Sequence, residues 1–217
     1  MKKCYITGAA DFAPARFKPE PGDFVIAADA GITHLERLGV KPDLVLGDFD
    51  SLGHVPDLPD VEVSPVRKDD TDSMLAARRA LGRGCDTLLL FGCLGGARLD
   101  HTLANIQTIA WATSEGAAAY LIGEGCCLTA LRGGESLRFD KRYHGDFSVF
   151  CLGADASGVT EKGLSYTLDR AALTAHFPLG VSNSFTGEEA YISVEDGLLI
   201  IYWADDPGLP LPEHAGL

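Results

Sequence analysis

Several short stretches of this chain carry more acid, lysine and arginine than a turn requires. Asp29 follows the apolar run Phe24-Val25-Ile26-Ala27-Ala28, and Asp48 follows Leu44-Val45-Leu46-Gly47. Both carboxylates are therefore expected at the carboxyl ends of strands, the edge at which open α/β sheets bind their ligands. Asp50 lies two residues beyond Asp48 in Gly47-Asp48-Phe49-Asp50-Ser51, and in an extended segment that spacing points both carboxylates the same way. Aligned carboxylates suit Mg2+, which takes oxygen ligands, keeps several waters and is shared with substrate phosphates. The same aspartates also suit turns and helix N-caps, so each one alone has a purely structural reading.

Two further segments extend the pattern. Lys68-Asp69-Asp70-Thr71-Asp72 precedes the helical stretch Ser73-Met74-Leu75-Ala76-Ala77-Arg78-Arg79-Ala80-Leu81, gathering carboxylates at the positive end of its dipole. Capping explains part of this charge; Lys68 on phosphate oxygens and Asp72 in a metal cluster would explain the rest. Gly92-Cys93-Leu94-Gly95-Gly96-Ala97-Arg98-Leu99-Asp100-His101 joins an apolar strand to a helix, where glycines permit close backbone approach and the helix N-terminus offers amides to an anion. It is neither a Walker loop nor G-x-G-x-x-G. Arg98 supplies a planar fork for phosphate, Asp100 a further metal ligand, and His101 with Asn105 a polar strip on one helix face.

The elements that must position these residues are legible as a pattern. Apolar runs at Cys4-Tyr5-Ile6-Thr7, 24–28, 44–46, 88–91 and 119–122 alternate with helical stretches at 30–39, 72–83 and 100–114, which predicts a βαβ series with a mostly parallel, Rossmann-like sheet. The last helix is expected to bury Leu103, Ile106, Ala110 and Thr113. Beyond Gly123-Glu124-Gly125 the texture changes to short β-prone runs between turn signals, including Phe147-Ser148-Val149-Phe150-Cys151, Ala190-Tyr191-Ile192-Ser193-Val194 and Leu198-Leu199-Ile200-Ile201-Tyr202. These predict an all-β sandwich or small barrel. The domains are expected to be 1–126 and 127–217, with Trp203 in a core and the Pro-rich end from Pro207 as a loosely held tail.

Composition narrows the partners. Eighteen Lys and Arg against 31 Asp and Glu give a net charge of −13, which repels a nucleic-acid backbone or an anionic membrane surface. The chain has no run near 20 apolar residues, and its six cysteines form no C-x-x-C pair. They read as free thiols in a reducing cytoplasm.

Taken in order, Asp29-Ala30-Gly31, Gly47-Asp48-Phe49-Asp50-Ser51, Lys68-Asp69-Asp70-Thr71-Asp72 and Arg98-Leu99-Asp100-His101 with Asn105 resemble the thiamine pyrophosphokinase family. The resemblance continues through Gly163-Leu164-Ser165-Tyr166-Thr167-Leu168 and Gly180-Val181-Ser182-Asn183-Ser184-Phe185, so it covers nearly the whole chain. It implies an ATP-binding catalytic domain, a thiamine-binding β-sandwich, and a homodimer with active sites between subunits. It also implies the reaction, ATP plus thiamine giving thiamine diphosphate plus AMP. On matching positions it implies that Asp48, Asp50, Asp72 and Asp100 form the Mg2+ and diphosphate site with Asp29 nearby. Arg98, His101 and Asn105 would then bind ATP, and Tyr166, Ser182 and Asn183 would help form the thiamine pocket. Ala30, Met74 and Ala97 depart from the family pattern. Two rivals remain at this level: another Mg2+-dependent transferase acting on a different hydroxyl, and a nucleotide- or thiamine-binding module without catalysis.

Overall fold

A computed structural model describes residues 2–50, 53–57, 59–65 and 69–216. The chain falls into two compact units, Met1–Glu124 and Gly125–Leu217.

The first unit is a parallel sheet with helices in its crossovers. Its strands are β1 (Lys3–Thr7), β2 (Phe24–Ala28), β3 (Leu44–Gly47), β4 (Val61–Val63), β5 (Thr87–Phe91) and β6 (Ala118–Gly123). They lie in the order β6-β5-β1-β2-β3-β4, every neighbouring pair parallel. Val, Ile, Leu and Ala dominate β2, β3 and β5, and β1 buries Cys4, Tyr5, Ile6 and Thr7, because both faces of these strands are covered. The helices are α1 (Ile32–Leu38), α2 (Asp72–Gly82) and α3 (Leu99–Ser114). The buried face of α2 is Ala76, Ala77 and Ala80, small side chains that let the helix backbone lie close to its neighbours.

In α3 the structure corrects the expected face. Leu103 is 58% exposed, and the buried stripe runs instead through Asn105, Thr108, Ile109, Ala112 and Thr113, with Ala110 beside it. The apolar count misses this because a buried Asn and a buried Thr are satisfied locally. Asn105 Nδ2 donates to the Cys93 carbonyl at 2.8 Å and Thr108 Oγ1 to that of Ala104 at 3.0 Å, so neither is orphaned by burial.

The second unit consists of two antiparallel sheets. Its strands are β7 (Cys126–Arg132), β8 (Glu135–Phe139), β9 (Asp146–Cys151), β10 (Ala156–Lys162), β11 (Leu168–Leu173), β12 (Asn183–Ser184), β13 (Ala190–Val194), β14 (Leu198–Ala204) and β15 (Glu213–Gly216). One sheet runs β12-β9-β14-β7 and the other β11-β10-β13-β8-β15. An aromatic cluster drawn from both fills the space between them: Phe139 of β8 meets Phe147 of β9 at 5.6 Å and Trp203 of β14 at 5.4 Å, each edge-to-face. Trp203 is fully buried, as its place at the end of an apolar run predicts.

The tail is a correction. Glu213–Gly216 pairs along β8, Glu213 opposite Arg138 and Gly216 opposite Glu135. Leu209 is buried, and Tyr143 donates its hydroxyl to the Pro210 carbonyl at 2.8 Å. Prolines interrupt the ladder only up to Pro212, leaving four residues free to donate and accept along the edge of β8.

All six cysteines are free thiols. Among the described residues no helix is long and apolar enough to cross a membrane.

Candidate active site

The carboxyl ends of β1, β2, β3 and β5 are drawn together by glycines that nothing else could replace. A Cβ on Gly31 would lie 1.9 Å from the Thr7 carbonyl oxygen, and one on Gly92, whose φ is +62°, would lie 2.2 Å from that of Gly8. The loops after β1 and β5 are zipped at this point, Gly8 N–H to Phe91 O and Ala10 N–H to Gly92 O, both 2.8 Å. On the neighbouring pair of strands, Gly47 presses against Asp29: a Cβ there would meet the Asp29 Cα at 3.0 Å. Asp29 takes up a left-handed φ of 49°, an unfavourable conformation for a residue with a side chain.

A cavity of ≈ 350 Å³ opens at this edge, lined among others by Asp29, Asp72, Ser73, Arg98, His101 and Asn105. Asp72 is the first residue of α2, whose N-cap Thr71 accepts from Met74 N–H at 3.2 Å. Arg98 caps α3 and the glycine loop supplies Gly95, Gly96 and Ala97 to the wall. Two helix N-termini and a glycine-rich turn thus border one hole, an arrangement suited to an anion.

Arg98 holds Asp100 in a bidentate pair, Nε to Oδ1 at 2.9 Å and Nη2 to Oδ2 at 2.6 Å. Those hydrogen bonds, reinforced by the guanidinium charge and the His101 N–H, hold the Asp100 carboxyl down to about 2. Asn105 and His101 both reach the cavity from α3, but Asn105 is buried and spends its amide nitrogen on the Cys93 carbonyl. Burial pushes the Cys93 thiol up to about 11, so this cavity residue is a neutral packing group rather than a nucleophile.

The Asp-x-Asp segment differs from the extended form expected. Phe49 is 2% exposed and has a φ of 58°, and Asp50 N–H turns back onto Asp48 Oδ1 at 3.2 Å. Burying the phenylalanine ring reverses the chain between the two aspartates and makes an Asx turn of the first. Asp48 is half-buried and Asp50 exposed. Asp70 is engaged by Arg78 at 3.0 Å, and Arg78 in turn lies over the Trp111 ring. Lys68 and Ser51 fall outside the described residues.

Among the described residues, no three His, Cys, Asp or Glu side chains gather closely enough to form a metal site. One buried oxygen is nevertheless left open to a cation. Asp29 Oδ1 is buried without a hydrogen-bond partner among the described residues, which leaves a buried oxygen in need of a ligand.

Asp11 lies outside the motifs legible in the sequence. Its carboxylate accepts from Gly96 N–H at 3.2 Å, and a Cβ on Gly95 would lie 2.7 Å from the same oxygen. It shapes the glycine loop from the segment after β1, where it also bridges Leu94.

In the second unit, Tyr166 is 72% exposed and Ser182 holds a left-handed φ of 64°, its N–H donating to Ser148 Oγ at 3.1 Å. Asn183 is buried, and its amide is fully engaged inside the protein. Oδ1 accepts from Tyr166 N–H and Ser184 N–H, both 2.9 Å, while Nδ2 donates to Tyr166 O at 2.7 Å and Glu161 Oε2 at 2.9 Å. The three residues expected in an acceptor pocket are therefore joined to one short stretch of structure around β12, with Asn183 facing inward.

Comparison with known proteins agrees with this organisation. Residues 20–121 match the thiamin pyrophosphokinase catalytic domain, and residues 136–199 match the thiamin pyrophosphokinase vitamin B1 binding domain. The thiamine pyrophosphokinase of Bacillus subtilis is 30% identical over 190 residues, covering 83% of this chain and 87% of that protein. A crystal structure of thiamine pyrophosphokinase from Bacillus subtilis superposes with a TM-score of 0.82 at 26% identity, covering 94% of this chain and all of that one. The fold is shared also with thiamin pyrophosphokinase from Geobacillus thermodenitrificans, with a TM-score of 0.79 at 24% identity over 97% of this chain and all of that one. With both domains matched in sequence and fold across most of its length, the chain belongs to the thiamine pyrophosphokinase family.

Proposed function

We propose that this enzyme transfers the diphosphoryl group of ATP to the hydroxyl of thiamine, giving thiamine diphosphate and AMP. Family membership supports the activity. The observation that carries the ATP site is the cavity bordered by two helix N-termini and the glycine loop, with Arg98, His101, Asp29 and Asp72 on its walls. Phosphates are recognised by such amides, and Arg98 adds a cationic fork to them. Lys68 belongs to the same anion-binding set by its place before Asp69.

Asp48, Asp50, Asp72 and Asp100 are the residues that would hold Mg2+, and the unpaired Oδ1 of Asp29 would complete the set. The ion would neutralise phosphate charge and so make the β-phosphorus open to attack. The chain's own part is to hold the two substrates in line, to exclude water, and to meet with Arg98 and Lys68 the charge that develops on the transferred group. Tyr166, Ser182 and Asn183 form the acceptor side. The family resemblance supports a homodimer with active sites between subunits, and the free thiols suit the cytoplasm.

The test is to incubate purified protein with ATP, MgCl2 and thiamine and to separate the products chromatographically. AMP and thiamine diphosphate in equal amounts, abolished by EDTA and restored by excess Mg2+, are the expected result. ADP as the nucleotide product, or no thiamine-dependent product, would overturn the assignment.

A further inference from the structure

Glu161 stands near the end of β10 with 2% of its surface exposed. A buried carboxylate is costly, and an aliphatic side chain would serve the sheet pairing of this position equally well. Glu161 therefore needs a reason. Its Oε2 accepts from Asn183 Nδ2 at 2.9 Å, while Oε1 is buried without a partner among the described residues.

The reason lies in the amide of Asn183. A side-chain amide has two faces, and a reversal exchanges donors for an acceptor. Here Oδ1 must face the N–H groups of Tyr166 and Ser184, and Nδ2 must face the Tyr166 carbonyl. Glu161 Oε2 accepts here, as a carboxylate oxygen or as the carbonyl of the neutral acid, so Glu161 fixes Nδ2 on its own side and stabilises the one orientation that grips both backbone polar groups of Tyr166. The segment is closed further by Ser165 N–H on the Ser184 carbonyl at 2.9 Å and by the Ser165 and Ser184 hydroxyls at 2.8 Å. Tyr166, with its ring in solvent, is thus held by its backbone at the bottom of a chain of three residues.

We propose that Glu161 is a positioning residue for the acceptor side of the site: through the Asn183 amide it holds the Gly163–Leu168 segment and its exposed Tyr166 in the conformation that receives thiamine. This rests on the proposed function for its ligand, but not for the clamp itself.

The experiment compares Glu161→Leu, Glu161→Ala and Glu161→Gln in the full chain. Glutamine keeps a carbonyl oxygen for Asn183, and alanine reads the same loss as leucine without asking a larger apolar group to fit. Hydrogen exchange of peptides covering 163–168 is measured beside KM for thiamine, KM for ATP and kcat. In the leucine or alanine variant, exchange in 163–168 and KM for thiamine should each rise by about tenfold. KM for ATP and kcat should stay within about twofold, and the glutamine variant should stay near wild type on every count. Unchanged exchange and KM, a glutamine variant as impaired as leucine, or exchange raised throughout the second unit would overturn the proposal. If the wild type makes no thiamine diphosphate, the functional reading fails, and local exchange alone still decides whether Glu161 clamps this segment.

Discussion

Arg98 and Asp100 hold each other through two hydrogen bonds of 2.9 and 2.6 Å at the start of α3, with roughly two-thirds of both side chains in solvent. In the proposed function Arg98 would meet phosphate and Asp100 a metal ion; in the structure each side chain engages the other. The pair is screened by water, so an ATP phosphate can draw the guanidinium away without breaking anything the fold depends on. Arg98→Ala should raise KM for ATP by about tenfold or more while leaving thermal unfolding unchanged. Steady-state rates at varied ATP, together with a melting curve, check both halves.

The aspartates proposed to hold Mg2+ make a sharper prediction about turnover. Asp48→Asn and Asp100→Asn keep shape and remove charge. Each should lower kcat by at least about a hundredfold in a protein that still folds by circular dichroism. Wild-type turnover in either folded variant would remove that aspartate from the chemistry.

Gly31 tests the scaffold rather than the chemistry. Its Cβ would sit 1.9 Å from the Thr7 carbonyl oxygen, a backbone atom that cannot rotate away. Gly31→Ala should destabilise the first unit by about 2–4 kcal/mol and disturb Asp29, two residues earlier. Gly39→Ala is the comparison for conformational strain alone, since nothing lies near its Cβ and only its φ of +66° opposes the change. Chemical denaturation should rank Gly31→Ala as the more damaging.

Glu161 gives a pH dependence of definite sign. Burial pushes its carboxyl from an ordinary 4.5 up to about 7, against the opposing hydrogen bond from Asn183. An acid whose folded-state pKa is raised favours folding most when protonated. That advantage is complete below about 4.5 and is lost as pH rises through about 7, amounting to at most about 3 kcal/mol. Glu161→Gln does not titrate, so its stability relative to wild type should increase between pH 5 and 8. Denaturant unfolding at intervals across that range reads the difference, and parallel stability profiles would contradict the burial argument.

Local spacing alone was enough to read much of this protein. Continuous apolar runs identified the strands of a βαβ series because a strand covered on both faces has no polar side, and alternating short runs with turn residues marked the antiparallel half. The ordered set of Asp, Lys, Arg and His motifs pointed to the family through its resemblance to the family's pattern, each motif alone being as compatible with turns and helix caps. Tertiary structure decided what spacing does not encode. It turned the face of α3, because Asn105 finds the Cys93 carbonyl in the loop that leads into the helix. It folded Asp48 and Asp50 into a turn, because burying Phe49 outweighs keeping that segment extended. It paired the chain end with β8, because an edge strand's unpaired groups accept any segment free to bond with them. It gave Asp11 and Glu161 their partners through Gly96 and Asn183, contacts separated by 85 and 22 residues along the chain. Periodicity reports which residues prefer to be buried or to turn; which polar group meets which across such distances is settled only when the sheet order brings them together.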